Sequence, residues 1–223
     1  MLNYESLKRS EKEMFNSFFK YFKHTISMHE NFICLLKKHN NVDASKIFEL
    51  IKKQEKKSNL LFSKLLDEFM WILQKESPIA KDLRKIISLI SSLYDLERMC
   101  DYVDRFAKFI NKYQQSLVDE QIDSFLIMEN IIYQTFNDVL VALETKKAKI
   151  IYPQIHNTIV NCSNISRKEL DKFHNMNFSN DLYTSFEFVS VWKTFDRTLD
   201  HLENIVENFI YMSNYKFWFE KEK

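Results

Sequence analysis

Apolar residues recur at three- and four-residue spacing along almost the whole chain, in six long stretches divided by short polar breaks. The first, residues 4 to 38, carries Phe15, Phe18, Phe22, Ile26, Phe32, Ile33 and Leu36, the stripe of a helix with one face in a core. Asn40-Asn41-Val42-Asp43 interrupts it, and Asp43 is expected to cap a second helix over residues 44 to 75. Ser77-Pro78 ends that helix, because the residue before a proline avoids helical torsions. Pro78 suits the first turn of a third helix reaching Tyr113. The second half repeats the plan. Residues 118 to 145 place Phe125, Met128, Ile132, Phe136, Val139 and Leu143 on one face. A fifth helix, residues 148 to 174, contains Pro153 in its first turn or at a kink. Residues 175 to 181 form the longest polar break and read as a loop, before a sixth helix over residues 182 to 214.

Helices of about 30 residues are roughly 45 Å long, and short breaks between them make sequential helices antiparallel neighbours. The pattern predicts an all-α protein of two tandem three-helix bundles, residues 1–115 and 116–223. The stretch from Asn111 to Asp123 has neither Gly nor Pro, so the halves are expected to pack rigidly or to share a continuous helix.

One short phrase occurs twice. Leu96-Glu97-Arg98-Met99-Cys100-Asp101-Tyr102 and Phe195-Asp196-Arg197-Thr198-Leu199-Asp200-His201 each read apolar, acid, Arg, two residues, Asp, aromatic or His. They are 99 residues apart, from Glu97 to Asp196, as expected of two similar halves whose last helices carry the phrase. Glu97 and Asp101, and likewise Asp196 and Asp200, stand one turn apart on a helix face. Two such carboxylates repel unless a cation, a proton or solvent intervenes, and a hard metal ion with oxygen ligands is one solution. The plainer reading is a solvated acidic face, with Arg98 paired to Asp95 or Asp101 and Arg197 to Asp200.

Composition narrows the functions available. The 223 residues contain no glycine and two prolines, which removes Gly-rich phosphate loops, nucleotide-binding fingerprints and Asn-Gly hairpins. Helices must then be closed by Asn and short polar turns. A net charge of +1 gives no field for wholesale nucleic-acid binding. Cys34, Cys100 and Cys162 form no CxxC pair and read as reduced thiols buried as small hydrophobes. No apolar run approaches a membrane span, and residues 1 to 15 lack a signal-peptide core, so a soluble intracellular protein is expected. His24, His29, His39 and His174 read as surface or half-buried residues, and no ExxH pair or acid–base–nucleophile set is present. Lys52-Lys53 and Lys56-Lys57 read as a solvated edge. The aromatic tail Phe209 to Phe219 either packs back on the bundle or meets a partner or membrane surface.

The two phrases resemble the signature of the PhoU family, accessory regulators of the phosphate-specific transport system. The resemblance extends to Pro78-Ile79-Ala80-Lys81-Asp82-Leu83-Arg84 opening the third helix, and to Glu55-Lys56-Lys57-Ser58-Asn59 on the second. It continues in Asp200-His201-Leu202-Glu203-Asn204-Ile205-Val206-Glu207 on the sixth. It implies a non-enzymatic, cytoplasmic homodimer acting on the phosphate ABC transporter through its ATPase subunit, with a phosphate-sensing kinase as a further partner. It also implies carboxylate clusters that hold iron or another divalent metal. Carried over, the metal residues are Glu55, Asn59, Glu97 and Asp101 in the first half and Asp196 and Asp200 in the second, with Asn157 and Asn161 facing the latter pair. Arg84, Arg98, Arg197, His201 and Asn204 are further motif positions. Cys100 and Leu199 stand where the family has Gly, and Arg105 where Asn is expected. A metal-binding storage or sensing protein and a non-catalytic helical scaffold are the alternative readings.

Overall fold

The computed structural model describes residues 4–39, 41, 43–114, 116–175 and 182–214. Six helices account for nearly all of them: α1 (Tyr4–Lys37), α2 (Asp43–Glu76), α3 (Ala80–Tyr113), α4 (Asp119–Glu144), α5 (Ala148–Asn175) and α6 (Leu182–Asn214). The fold is all-α. Residues 176–181 of the predicted loop and the aromatic tail from Tyr215 onward lie outside the described residues.

α1, α2 and α3 pack on one another, as do α4, α5 and α6. The two groups join along α3 against α6 and α1 against α4. The result is a layer of four helices in the order α2–α3–α6–α5, backed by α1 and α4. One apolar core runs through both groups, from Met14 and Phe18 to Ile205 and Ile210. Aromatic rings supply the bulk at the seam. Phe106 stacks on Phe195 at 4.3 Å between ring centres, Phe32 stacks on Phe106 at 5.4 Å, and Phe125 meets Trp192 at 5.1 Å. Each buried ring removes a large apolar area from water, so the halves are fused by their core and share no continuous helix.

The turns depart from expectation in instructive ways. Among the described residues left-handed backbone falls on Ser77 (φ 41°), Ala80 (φ 48°) and Lys146 (φ 60°), none of them asparagine. At the end of α4 the Lys147 N–H reaches Ala142 O at 2.6 Å and the Lys146 N–H reaches Leu143 O at 3.1 Å. This is a Schellman closure with lysine in the place glycine usually takes, at a cost of about 1 kcal/mol. α3 begins at Ala80, after an extended Ile79, so Pro78 precedes the helix and does not open it. α2 begins at Asp43 itself, whose N–H is accepted by the Asn41 side chain at 3.3 Å; Asn41, not Asp43, does the capping. Pro153 lies on the exposed side of α5, and the helix continues through it.

Candidate functional site

The repeated phrase sits at the seam of the two halves. Along α3 and α6 the contacts run in opposite order: Ser92 with Asn208 (3.2 Å), Asp95 with His201 (2.8 Å), Phe106 with Phe195, and Tyr113 with Glu187. The helices are therefore antiparallel. In such a pair a residue meets its equivalent 99 positions on only at the local two-fold axis. Tyr102 and His201 are equivalents, and the Tyr102 hydroxyl lies 3.2 Å from His201 Nε2. The axis thus passes through the phrases, which form the centre of the four-helix face. His201 is fixed from both sides, by Asp95 at Nδ1 and by Tyr102 at Nε2.

Around that centre the acids form two stripes. On α3, Glu97 and Asp101 are half-buried and continue to Asp104, which is bound by Lys108. On α6, Asp196 is half-buried and Asp200 exposed, and the stripe continues to Glu203 and Glu207. Burial raises the Glu97 carboxyl above its ordinary range; Asp101 and Glu55 add to the rise against a smaller opposing pull from Arg98. Burial also raises Asp196, and raises Asp200 together with the neighbouring Asp196 charge. Glu203 is raised by burial as well, although His156 draws it down. Acids held at elevated pKa along one face favour a proton or a cation over bare charge.

The partners of these acids only partly match expectation. Glu55 acts electrostatically on Glu97, but the Asn59 amide donates to Glu55 (2.5 Å) on an exposed part of α2. On α5, Asn157 and Asn161 are exposed. The residues that reach α6 are Ser166, which donates to Asp196 (2.9 Å), His156 beside Glu203 (3.2 Å) and Tyr152, which donates to Glu207 (2.9 Å). Antiparallel pairing of α5 with α6 sets that register. Among the described residues no group of three or more His, Cys, Asp or Glu side chains is gathered so as to hold a metal ion. The carboxylates as placed therefore do not fit a metal centre. Asp104, Glu203 and Glu207 are readable as the next turns of each stripe, since Asp104 and Glu203 also stand 99 apart.

The remaining motif residues are spread along the same helices. Arg98 and Arg197 are exposed. Arg98 lies 3.9 Å from Glu97 in place of the expected Asp95 or Asp101, because Asp95 is taken by His201. Asn204 is exposed on α6, and Arg84 is half-buried near the start of α3. Cys100 and Cys162 are buried, and burial pushes each thiol up to about 11; Cys34, contrary to expectation, is exposed.

A buried acid–imidazole contact across the two halves has no counterpart in the sequence pattern. His29 of α1 and Glu129 of α4 are both 0% exposed and meet at 2.6 Å across the two halves. His29 also packs on Phe136 at 4.6 Å. His29 is thus wholly buried, whereas His24 and His39 are half-buried as expected. Glu129 falls within the apolar register of α4, between Phe125 and Ile132, and that was its only sequence signal.

A PhoU domain model matches residues 19–110. The chain is 33% identical over 221 residues to the uncharacterized protein MG409 of Mycoplasma genitalium, and 30% identical over 220 residues to its homologue in Mycoplasma pneumoniae, covering 96% of each chain in both cases. Among solved structures it is similar to PhoU from Pseudomonas aeruginosa (TM-score 0.81, 16% identity, 94% of this chain and 99% of that one). It is also similar to the phosphate transport system regulatory protein PhoU from Streptococcus pneumoniae (TM-score 0.75, 22% identity, 95% and 98%). The domain match establishes that this chain belongs to the PhoU family, and the full-length likeness shows that the PhoU fold extends over both halves.

Proposed function

We propose that the protein is a non-enzymatic regulator of phosphate uptake, which acts in the cytoplasm as a homodimer on the ATPase subunit of a phosphate ABC transporter. A phosphate-sensing kinase is a second partner in this reading. The observation that carries it is the family's paired phrase placed at the centre of a broad four-helix face, with Arg98 and Arg197 exposed on either side. A flat face with outward arginines suits recognition of another protein's surface. Among the described residues no helix is long and apolar enough to cross a membrane, so in this reading the transporter supplies the membrane attachment.

Recovery of partners from native lysate with tagged protein tests the proposal, together with phosphate uptake in a deletion strain. Transporter subunits are expected in the recovered fraction, and uptake is expected to lose its restraint at high phosphate. Exchange of Arg98 and Arg197 for alanine is expected to weaken recovery without lowering the melting temperature. Repeated absence of transporter subunits with unchanged uptake refutes the proposal.

A further inference from the structure

A groove of about 840 Å³ opens at the end of the molecule where the α2–α3 and α4–α5 turns lie side by side. Its apolar wall is built from Phe15 and Phe19 of α1 and Phe209 of α6, and Phe209 touches both rings at 6.1 Å. Its rim is basic: Lys81 at the start of α3, and Lys146, Lys147 and Lys149 at the α4–α5 turn.

The acids that line the groove or flank Lys81 are engaged with other lysines, and Glu76 at the end of α2 accepts from Ser6 at 2.8 Å. Glu11 and Asp82 are held between Lys8 and Lys85 at 2.8 to 3.0 Å, and Glu144 is paired with Lys23 at 2.7 Å. Lys81, Lys146, Lys147 and Lys149 have no carboxylate partner among the described residues and are exposed. A chain of net charge +1 therefore concentrates unbalanced positive charge at one end. The same two turns hold out isoleucines: Ile79 is 68% exposed and Ile150 is 66% exposed. Both turns are short and fixed by left-handed residues, Ala80 and Lys146, so these tips are presented on a rigid frame.

We propose that this end of the molecule is a docking surface for an anionic lipid bilayer. Lys81, Lys146, Lys147 and Lys149 meet the headgroups while Ile79 and Ile150 enter the interface. Charge complementarity selects the partner, because four uncompensated lysines oppose a negatively charged surface. The two exposed apolar tips beside them supply the apolar part of the contact, the combination that interfacial binding uses. A soluble acidic peptide would satisfy the lysines and leave the outward isoleucines in water. The contact goes beyond the regulatory reading and needs no transporter.

Co-sedimentation of the full chain with vesicles tests it. Equal parts of phosphatidylglycerol and phosphatidylcholine are compared with phosphatidylcholine alone. Binding is expected only to the anionic vesicles, and to fall as salt rises. Each lysine near the surface contributes about fivefold, so K81A/K146A/K147A/K149A is expected to lose on the order of a hundredfold or more. Ile150→Asp is expected to lose roughly tenfold, the effect of withdrawing one large aliphatic side chain. Both variants change exposed side chains, and unchanged melting curves verify their folding. Equal binding to neutral and anionic vesicles, or full binding by the lysine variant, overturns the proposal. So does a full-strength Ile150→Asp variant whose binding is displaced by polyglutamate, which reassigns the surface to an acidic polypeptide.

Discussion

Replacing Glu129 with leucine is expected to be among the most damaging single changes in the protein. The carboxylate lies 2.6 Å from His29 Nδ1 with both side chains wholly out of water, so its removal leaves a buried imidazole without its partner. Breaking one side of a buried pair costs about 3–5 kcal/mol, and in a chain of this size each kcal/mol shifts the melting temperature by about 2–4 °C. A fall of roughly 6–20 °C follows from those two ranges. The pair is nevertheless an imperfect one. His29 Nε2 and Glu129 Oε2 are buried with no hydrogen-bond partner, and each such atom carries a desolvation penalty of about 1–3 kcal/mol. Burial also raises the Glu129 carboxyl well above its ordinary range, against the pull of His29. The double replacement His29→Leu/Glu129→Leu, close in volume and apolar, should therefore recover the loss and add about 1–4 kcal/mol beyond the parent. Urea unfolding of the parent, both singles and the double gives the coupling directly. A Glu129→Leu variant as stable as the parent, or a double variant as unstable as the sum of the singles, refutes the reasoning.

Three further outcomes follow from other parts of the molecule. Glu97, Asp196, Asp200 and Glu203 all have folded-state pKa values raised above their ordinary 3.8 or 4.5. The folded state then holds more protons than the unfolded one from those values upward, so stability should fall as pH rises through that window toward neutrality. Melting curves across it should flatten in Asp196→Asn/Asp200→Asn, and an unchanged slope contradicts the assignment. Exposed Cys34 should take up iodoacetamide at pH 8, while Cys100 and Cys162, buried and pushed up to about 11, should label only after unfolding; mass spectrometry of the intact chain reads the count. Phe195→Ala empties the seam where Phe106, Phe125 and Trp192 converge, and denaturant titration should show a loss of about 3–5 kcal/mol.

The helices were legible because each carries an unbroken apolar stripe, and the 99-residue repeat was legible because both copies keep the same acid, Arg and Asp at the same spacing. What the pattern does not encode is which stripes meet. α3 has three apolar or small-polar faces, turned to α1, α2 and α6, and periodicity alone cannot assign Ser92, Tyr102 and Phe106 to the last of these. The turns were misread for a related reason. Without glycine, left-handed backbone has no compositional mark, and Ala80 and Lys146 adopt it because the packed helices on either side leave no other path. Glu129 was invisible because a carboxylate inside an apolar register is recognised only once His29 is known to stand opposite.

The local two-fold axis also explains why the copies of the phrase diverge in charge. At an exact repeat the face would present the same groups on either side of Tyr102 and His201. Instead Arg105, Lys108 and Lys112 of α3 stand where α6 has Asn204, Glu207 and Tyr211. Lys108 closes the first acidic stripe by binding Asp104, whereas Glu207 extends the second. The backbone symmetry survives because the inward positions, Leu96 and Phe195 or Val103 and Leu202, are apolar in both halves and fully buried. The outward positions carry no packing constraint and are free to separate into a basic and an acidic side. A face with that polarity has a direction, so a partner that reads it docks in one orientation of the two the fold would otherwise allow. Exchanging Lys108 and Glu207, K108E/E207K, sets a second acid beside Asp104 and removes the acceptor of Tyr152, and should cost about 1–3 kcal/mol while leaving the protein folded. Chemical cross-links between the protein and its partner should then move from one half to the other, and a cross-link map unmoved by the exchange shows that the polarity is not read.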